Sequence, residues 1–270
     1  MPFEKRFDFH LHTRCSDGAR APGEVLELAA RAGLAGVSIT DHDTADAYAE
    51  IGTAGSGALR VLPGIEVSAA CEGVEVHILG YFPDGFPPGA LEMAERLLAE
   101  RGERMREGVE RLLRRGMRLE WKDVLEEAAG RAVSRGHLAQ ALVKKGFVPN
   151  VCAAFPNVLG PETVKPPGAD AREIVEEISR LGGIAVWAHP SPALLDRFLA
   201  ALVEAGLDGV ELHTPRRSSG EKRQVESRIA GHGLFVSGGS DWHGHNRREP
   251  LGNFSVRASE VRGFLDVIEW

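Results

Sequence analysis

The stretch from Phe7 to Asp17 constrains the fold most strongly. From Phe7 to His12 every second residue is apolar, which is the period of a β-strand with one buried face. His10 and His12 would therefore lie on one face of that strand, with Asp17 on the loop that follows. Buried imidazole and carboxylate groups need polar partners, and a metal ion is suitable because both groups are common metal ligands. The stretch predicts a strand that carries candidate metal ligands.

Strand-like and helix-like segments alternate beyond this strand. Residues 22–32 have helical apolar spacing and are followed by Gly33, an expected helix end, while 35–40, 59–68 and 75–82 read as strands. The alternation resumes at residue 170. Strand–helix–strand units predict an α/β fold with parallel crossovers, and a parallel barrel would gather its strand ends at one rim. The polar residues at or near these strand ends are His10, His12, Asp17, His42, Glu66, His77, His189, His213, Asp241 and His243.

The middle of the chain departs from this alternation. A Pro/Gly-rich break at 83–88 precedes a long Arg/Glu-rich helical stretch at 89–116, where opposite charges often stand four residues apart, as on a solvated helix face. Further helical segments and a proline-rich loop follow, and Ser134 is a plausible helix N-cap. We therefore predict a helical insertion domain at 83–165 within a body formed by 1–82 and 166–270.

Composition excludes several classes of protein. The chain has 270 residues and a net charge of −7, which argues against a general polyanion-binding surface and a stable nucleic-acid complex. The three cysteines are far apart, so we expect neither a disulfide framework nor a cysteine zinc site. Because there is no run of about 18 apolar residues and no apolar leader, we expect no membrane span and a cytoplasmic location. The oligomeric state is left open.

Several motifs near the strand ends belong together. They are His10-Leu11-His12 with Asp17, Thr40-Asp41-His42, Gly64-Ile65-Glu66, His77, His189-Pro190 and Ser240-Asp241-Trp242-His243. With these motifs the chain resembles the PHP (polymerase and histidinol phosphatase) family. The resemblance implies a distorted seven-stranded (β/α) barrel, similar to a TIM barrel, that holds three divalent ions, usually manganese, iron or zinc.

The same resemblance implies a set of ligands for each ion. Glu66 would bridge the first and second ions, and the ions together outweigh the charge of the three carboxylates, which suits a phosphate substrate. The implied sets are His10, His12, Glu66 and Asp241 for the first ion, Glu66, His77 and His189 for the second, and Asp17, His42 and His243 for the third.

The motifs Thr40–Asp43, Gly209–His213 and Ser134–His137 look like one branch of this family. Members of that branch hydrolyse the 3'-phosphate of nucleoside 3',5'-bisphosphates, and some trim RNA from its 5' end. The resemblance implies that Ser134, Arg135 and His137 hold the second phosphate, although Gly136 stands where the branch would have proline. A guanidinium at a helix start is also physically suited to an anion. The alternative is that Arg135 only joins the surface charge network.

The predicted reaction is hydrolysis of a phosphate ester by a hydroxide held between the metals. Glu66 and Asp241 would act through the metals, whereas His213 either orients the phosphate, protonates the leaving oxygen, or makes only a structural hydrogen bond. The expected partner is a nucleotide or a short RNA 5' end. The alternatives are a histidinol-phosphate phosphatase, which needs no second phosphate site, and a metal-binding regulatory module without turnover.

Overall fold

A computed structural model describes residues 4–52, 58–128, 132–246 and 248–270. Among the helices in these ranges, none combines the length and the apolar character that crossing a membrane requires. The strands are β1 Arg6–Leu11, β2 Gly36–Ile39, β3 Arg60–Val61, β4 Gly64–Cys71, β5 Val74–Tyr81, β6 Ile184–Trp187, β7 Gly209–His213, β8 Phe235–Gly238 and β9 Val256–Arg257. The helices are α1 Pro22–Arg31, α2 Asp46–Ile51, α3 Pro88–Arg114, α4 Trp121–Leu125, α5 Arg135–Lys144, α6 Val151–Asn157, α7 Ala171–Arg180, α8 Pro192–Glu204, α9 Ser219–Ile229 and α10 Arg262–Val267, with a 3-10 turn at Ala258–Glu260.

The first strand follows the predicted alternation. Phe7, Phe9 and Leu11 are buried in the apolar core, and His10 is buried as well, on the alternate face of the strand. β1 pairs in parallel with β2 and antiparallel with β9. The predicted helix after it is α1, and Gly33 follows that helix with a positive φ of 71°. Local periodicity therefore identified this first strand–helix–strand unit.

The strands form two sheets whose ends approach each other twice. Their orders are β3-β2-β1-β9 and β4-β5-β6-β7-β8. At one junction Asp43 N donates to Glu66 O at 3.0 Å, and at the other Asp241 N donates to His10 O at 3.0 Å. The α/β class is confirmed, whereas closure into a seven-stranded barrel stays a prediction.

β4 and β5 form an antiparallel hairpin in place of a parallel crossover. The residues between them, Glu72 and Gly73, have φ values of 48° and 75°, as the tight turn of a two-residue hairpin requires. His77 consequently lies within β5 and not at a strand end. The expectation that all strands run parallel is wrong here, because this short turn leaves no room for a crossover.

Helices α3 to α6 occupy the region predicted as an insertion. They share an apolar cluster that includes Met105, Leu112, Leu138 and Leu142. The first half of α3 packs elsewhere, since Met93 and its neighbours belong to the largest core cluster of the body. One long helix thus links two cores, and the division at residues 83 and 165 stays a prediction.

Candidate metal centre

Glu66 on β4 lies at the centre of a group of histidines. The side chain is fully buried, and burial alone would raise the pKa of its carboxyl. The charges of His42, His10 and His77 nevertheless hold that pKa well below its usual range. Its two carboxylate oxygens lie 3.0–3.3 Å from ring nitrogens of His10, His12, His42, His77 and His189.

Two further carboxylates complete the group. Asp17 Oδ1 lies 3.2 Å from His243 Nε2, and Asp241 Oδ1 lies 3.2 Å from His12 Nε2. The structure therefore brings together all nine residues predicted as metal ligands, which we call the ligand cluster. Its members are His10, His12, Asp17, His42, Glu66, His77, His189, Asp241 and His243.

The ligand cluster contains buried polar atoms that make no hydrogen bond to any described residue. They include His10 Nε2, both ring nitrogens of His12, His42 Nδ1 and Glu66 Oε2. Leaving such atoms without partners in a protein interior is costly. Ligand atoms of three overlapping sets lie within 4.8 Å of one another, close enough to share an ion. These sets are His12, Asp17, His42 and His243; His10, His12 and Glu66; and His42, Glu66 and His77.

The protonation of His12 also suits a metal. Burial, together with the charges of His243 and His42, lowers the pKa of His12 to about 3. The ring is therefore neutral at physiological pH, as metal coordination requires. The donor set fits divalent cations, and its division among three ions stays a prediction.

The backbone around the cluster is locally strained. His189 and Asp241 have positive φ values of 34° and 53°, a conformation that is uncommon for residues other than glycine. Gly239, at the end of β8, approaches β1 so closely that a Cβ there would lie 2.4 Å from the Cβ of His10. A side chain at Gly239 would push apart the two strand ends that carry His10 and Asp241.

Outer carboxylates hold the ligand cluster in place, and sequence reasoning missed their role. Glu211 on β7 is fully buried: its Oε1 accepts from His10 Nδ1 at 3.1 Å, and its Oε2 accepts from the backbone N–H of His189 at 2.9 Å. The first bond turns His10 Nε2 toward Glu66. Such outer partners set the orientation and tautomer of metal-binding histidines. The sequence signal for Glu211 is the strand alternation within Gly209–His213, which places its side chain inward.

Asp41 performs a similar task for the loop that carries Asp17. Its Oδ1 accepts from the backbone N–H of Thr13 at 2.7 Å and from Ser16 Oγ at 2.5 Å. Its Oδ2 accepts from Thr13 Oγ1 at 2.6 Å. The loop between β1 and α1 is therefore tied to the end of β2, which keeps Asp17 near His42.

A cavity of about 1180 Å³ opens onto the ligand cluster. Its wall includes Asp17, His77 and His243 from the cluster, and Ser134 and Arg135 from the start of α5. Ser134 is the N-cap of that helix, as predicted, since its Oγ accepts from Gly136 N at 3.1 Å.

The other two predicted substrate residues have different surroundings. His137 is buried, and its Nδ1 accepts from Ser134 N at 3.1 Å, so it caps the helix beside Ser134. His213 Nδ1 accepts from Lys222 Nζ at 2.8 Å and lines a separate cavity of about 180 Å³. Among the described residues, the wall of the large cavity includes neither histidine. Direct contact of His137 or His213 with substrate stays a prediction.

Comparisons with known proteins agree with this geometry. The sequence model of a family described as "PHP domain" matches residues 8–182. The chain is 32% identical over 249 residues to 5'-3' exoribonuclease Rnm of Salmonella typhimurium, which covers 88% of this chain and 85% of that protein. It is also 32% identical over 261 residues to 3',5'-nucleoside bisphosphate phosphatase of Chromobacterium violaceum, covering 87% and 86% of the two chains. The crystal structure of a candidate metal-dependent phosphoesterase from Bifidobacterium adolescentis superposes with a TM-score of 0.79 at 31% identity, covering 98% and 97%.

Proposed function

The chain belongs to the PHP domain family and is an enzyme of the metal-dependent phosphoesterase class, and we propose that it removes the 3'-phosphate of nucleoside 3',5'-bisphosphates. Short RNA with a 5'-phosphate is the second proposed substrate, because the exoribonuclease relative is as similar to this chain as the phosphatase relative.

One observation carries the proposal. Five members of the ligand cluster line the same cavity as Arg135: Asp17, His42, His77, Asp241 and His243. A phosphate ester bound at the ligand cluster would thus have a second anion-binding group within the same space. The volume of about 1180 Å³ slightly exceeds the roughly 300–1,000 Å³ of typical small-molecule sites, which leaves room for a nucleotide and part of its neighbour.

Different residues of the chain would hold the metal ions, orient their ligands and bind the second phosphate. The ligand cluster would hold the divalent ions, with Glu66 shared between two of them. Such ions, when bound, lower the pKa of water and neutralise charge on the transferring phosphoryl group. Glu211 and Asp41 would keep the ligands oriented, while Arg135 at the start of α5 would hold the second phosphate.

The proposal includes three finer points. We propose three ions, a closed barrel and an insertion at 83–165 that covers the substrate. The hydrogen bonds at the two junctions between the sheets support closure. The shared cavity wall supports the covering role, because Ser134, Arg135 and Gln140 belong to the insertion.

Substrate comparison tests the proposal. Manganese-loaded protein should release phosphate from adenosine 3',5'-bisphosphate and leave adenosine 5'-monophosphate, as measured by phosphate assay and chromatography. Faster turnover of histidinol phosphate would favour that rival phosphatase. No hydrolysis of either ester by protein shown to contain metal would favour the regulatory module.

A further inference from the structure

Three arginines approach the large cavity from the insertion side. Arg101 and Arg104 lie on α3, Arg135 begins α5, and all three belong to the cavity wall. Arg101 and Arg104 are buried, with relative exposures of 5% and 8%. A buried guanidinium needs a compensating anion, because desolvation of an unpaired charge is expensive.

Two of the three charges are directly compensated. Arg101 Nε donates to Asp43 Oδ2 at 2.7 Å, and its Nη2 donates to Ser68 Oγ at 2.7 Å. Arg135 Nη2 lies 3.0 Å from Glu75 Oε2. These two carboxylates are therefore occupied by two guanidinium groups.

Arg104 is the third charge, and its compensation is poor. Its Nη1 is 3.8 Å from Glu75 Oε1, beyond hydrogen-bonding distance, and donates to the backbone oxygen of Lys165 at 3.3 Å. Glu75 Oε1 is also 3.5 Å from His77 Nε2, so this carboxylate serves several cations. Within the described parts of the chain, Arg104 Nε is buried and makes no hydrogen bond.

The electrostatic surroundings of Arg104 agree with this account. Burial lowers the pKa of its guanidinium, and the neighbouring charge of Arg101 lowers it further. The charge of Glu75 opposes these effects without cancelling them. A second anion beside Arg104 would compensate its buried charge and would offset the repulsion between Arg104 and Arg101.

We propose that Arg104 binds the second phosphate of the substrate together with Arg135 and the first turn of α5. The two guanidinium groups lie 3.8 Å and 3.0 Å from the two oxygens of one carboxylate, Glu75, and both arginines line the same cavity, so they are near enough to act on one phosphate group. This inference rests on the proposed function, which supplies a substrate with two phosphates. It assigns to Arg104 the preference for nucleotides that carry a 5'-phosphate.

The test compares Arg104→Gln with wild-type protein. Calorimetric titration with adenosine 5'-monophosphate should show a dissociation constant about tenfold to a hundredfold higher in the variant, the usual effect of losing hydrogen bonds to a charged group. The kcat/KM for adenosine 3',5'-bisphosphate should fall by a similar factor, whereas that for adenosine 3'-monophosphate, which lacks the second phosphate, should stay within about twofold. Arg104→Lys, which keeps the charge, should recover part of the affinity.

Arg111→Gln is the matched control. Arg111 lies two turns further along α3 and also donates to a backbone oxygen, that of Thr163 at 2.9 Å, but it is not part of the cavity wall. Its substitution should leave adenosine 5'-monophosphate binding unchanged. Circular dichroism and thermal unfolding would show that each variant is folded.

The outcomes separate this inference from the proposed function. Equal dissociation constants for wild type and Arg104→Gln, or no binding to wild type, overturn the role of Arg104. An equal loss of kcat/KM for both substrates also overturns it. If wild type binds adenosine 5'-monophosphate through Arg104 but hydrolyses neither ester when loaded with manganese, the anion site stands and the proposed function fails.

Discussion

The ligand cluster and the pair Arg104 and Arg135 are two parts of one cavity with opposite chemical needs. The cluster gathers side chains from strands and loops between residues 10 and 243, and its buried nitrogens and oxygens lack partners that a cation would supply. The two arginines come from two helices of a short segment, and their charge exceeds what Glu75 compensates. The difference indicates which ligand suits each part: cations at the cluster, and an anion at the arginines.

The largest expected effect comes from the cluster. Glu66→Gln removes the charge that faces five histidines, so the protein should lose metal as well as activity. We expect kcat/KM to fall by about 1000-fold or more, beyond the roughly 10–100-fold typical of outer partners. Metal content by elemental analysis and turnover of adenosine 3',5'-bisphosphate measure this.

Asp196→Asn provides the control for Glu66→Gln. Asp196 pairs with Arg228 at the surface, at 2.7 Å, and its substitution should leave metal content and turnover unchanged. His10→Ala and Asp241→Ala should behave like Glu66→Gln. Near-normal metal content and turnover in all three variants would show that the metal assignment is wrong.

The next largest effect tests how the cluster is held. Glu211→Ala removes the acceptor for His10 Nδ1, so His10 should lose its fixed orientation and metal affinity should fall by about 10–100-fold. Glu211→Gln keeps an acceptor oxygen and should restore part of that affinity. Titration of metal-free protein with manganese gives the dissociation constants. Equal manganese affinities in wild type and Glu211→Ala would show that Glu211 does not position the metal ligands.

The insertion side should respond in a different way. Arg135→Gln should raise the KM for adenosine 3',5'-bisphosphate about tenfold without changing metal content, because Arg135 would touch only the second phosphate. The exposed Arg172, which pairs with Asp170 at 3.1 Å, supplies the control Arg172→Gln. A parallel loss of metal in Arg135→Gln would contradict the separation of the two regions.

The smallest effect concerns the thiols of the two regions. Cys71 is buried on β4 of the body, where burial raises the pKa of its thiol to about 11, whereas Cys152 is exposed on α6 and lines the cavity. At pH 8, iodoacetamide should label Cys152 well before Cys71, because only the thiolate reacts. Mass spectrometry of peptides reports the order, and adenosine 5'-monophosphate should slow labelling of Cys152. Faster labelling of Cys71 would show that the body opens more readily than its packing suggests.

The raised pKa of the Cys71 thiol makes folding stability depend on pH. An unfolded cysteine loses its proton near pH 8.5, earlier than the folded Cys71 thiol. The contribution of the Cys71 thiol to the free energy of unfolding is therefore fully present below about pH 8.5, and it is lost progressively as the pH rises toward 11. Urea unfolding at a series of pH values, compared with Cys71→Ser, measures the difference, and a flat profile would contradict it.

Much of the cluster was predictable because its ligands belong to short local motifs. His10 and His12 share a strand face, and Asp241 and His243 follow another strand, so their residue types and spacing already indicate chemistry. The hairpin of β4 and β5 was not predicted, because Glu72-Gly73 is not one of the residue pairs, such as Asn-Gly or Asp-Gly, that mark a two-residue turn in a sequence. The sequence does not single out Arg104. On an arginine-rich helix, the residues around an arginine look the same whether its side chain faces solvent or a cavity.

The amino-acid sequence by itself determined the α/β class and the first strand–helix–strand unit, and it offered the members of the ligand cluster as candidates among the polar residues near strand ends. These features follow from periodicity and residue type, whereas the choice of nine metal ligands without His213 came from the family resemblance. Only the tertiary structure decided that Glu211 orients His10, that the lining of the large cavity includes neither His137 nor His213 among the described residues, and that the carboxylate of Glu75 stays 3.8 Å from Arg104. Each of these depends on distances between segments far apart in the chain, since burial and charge compensation arise only when those segments pack together.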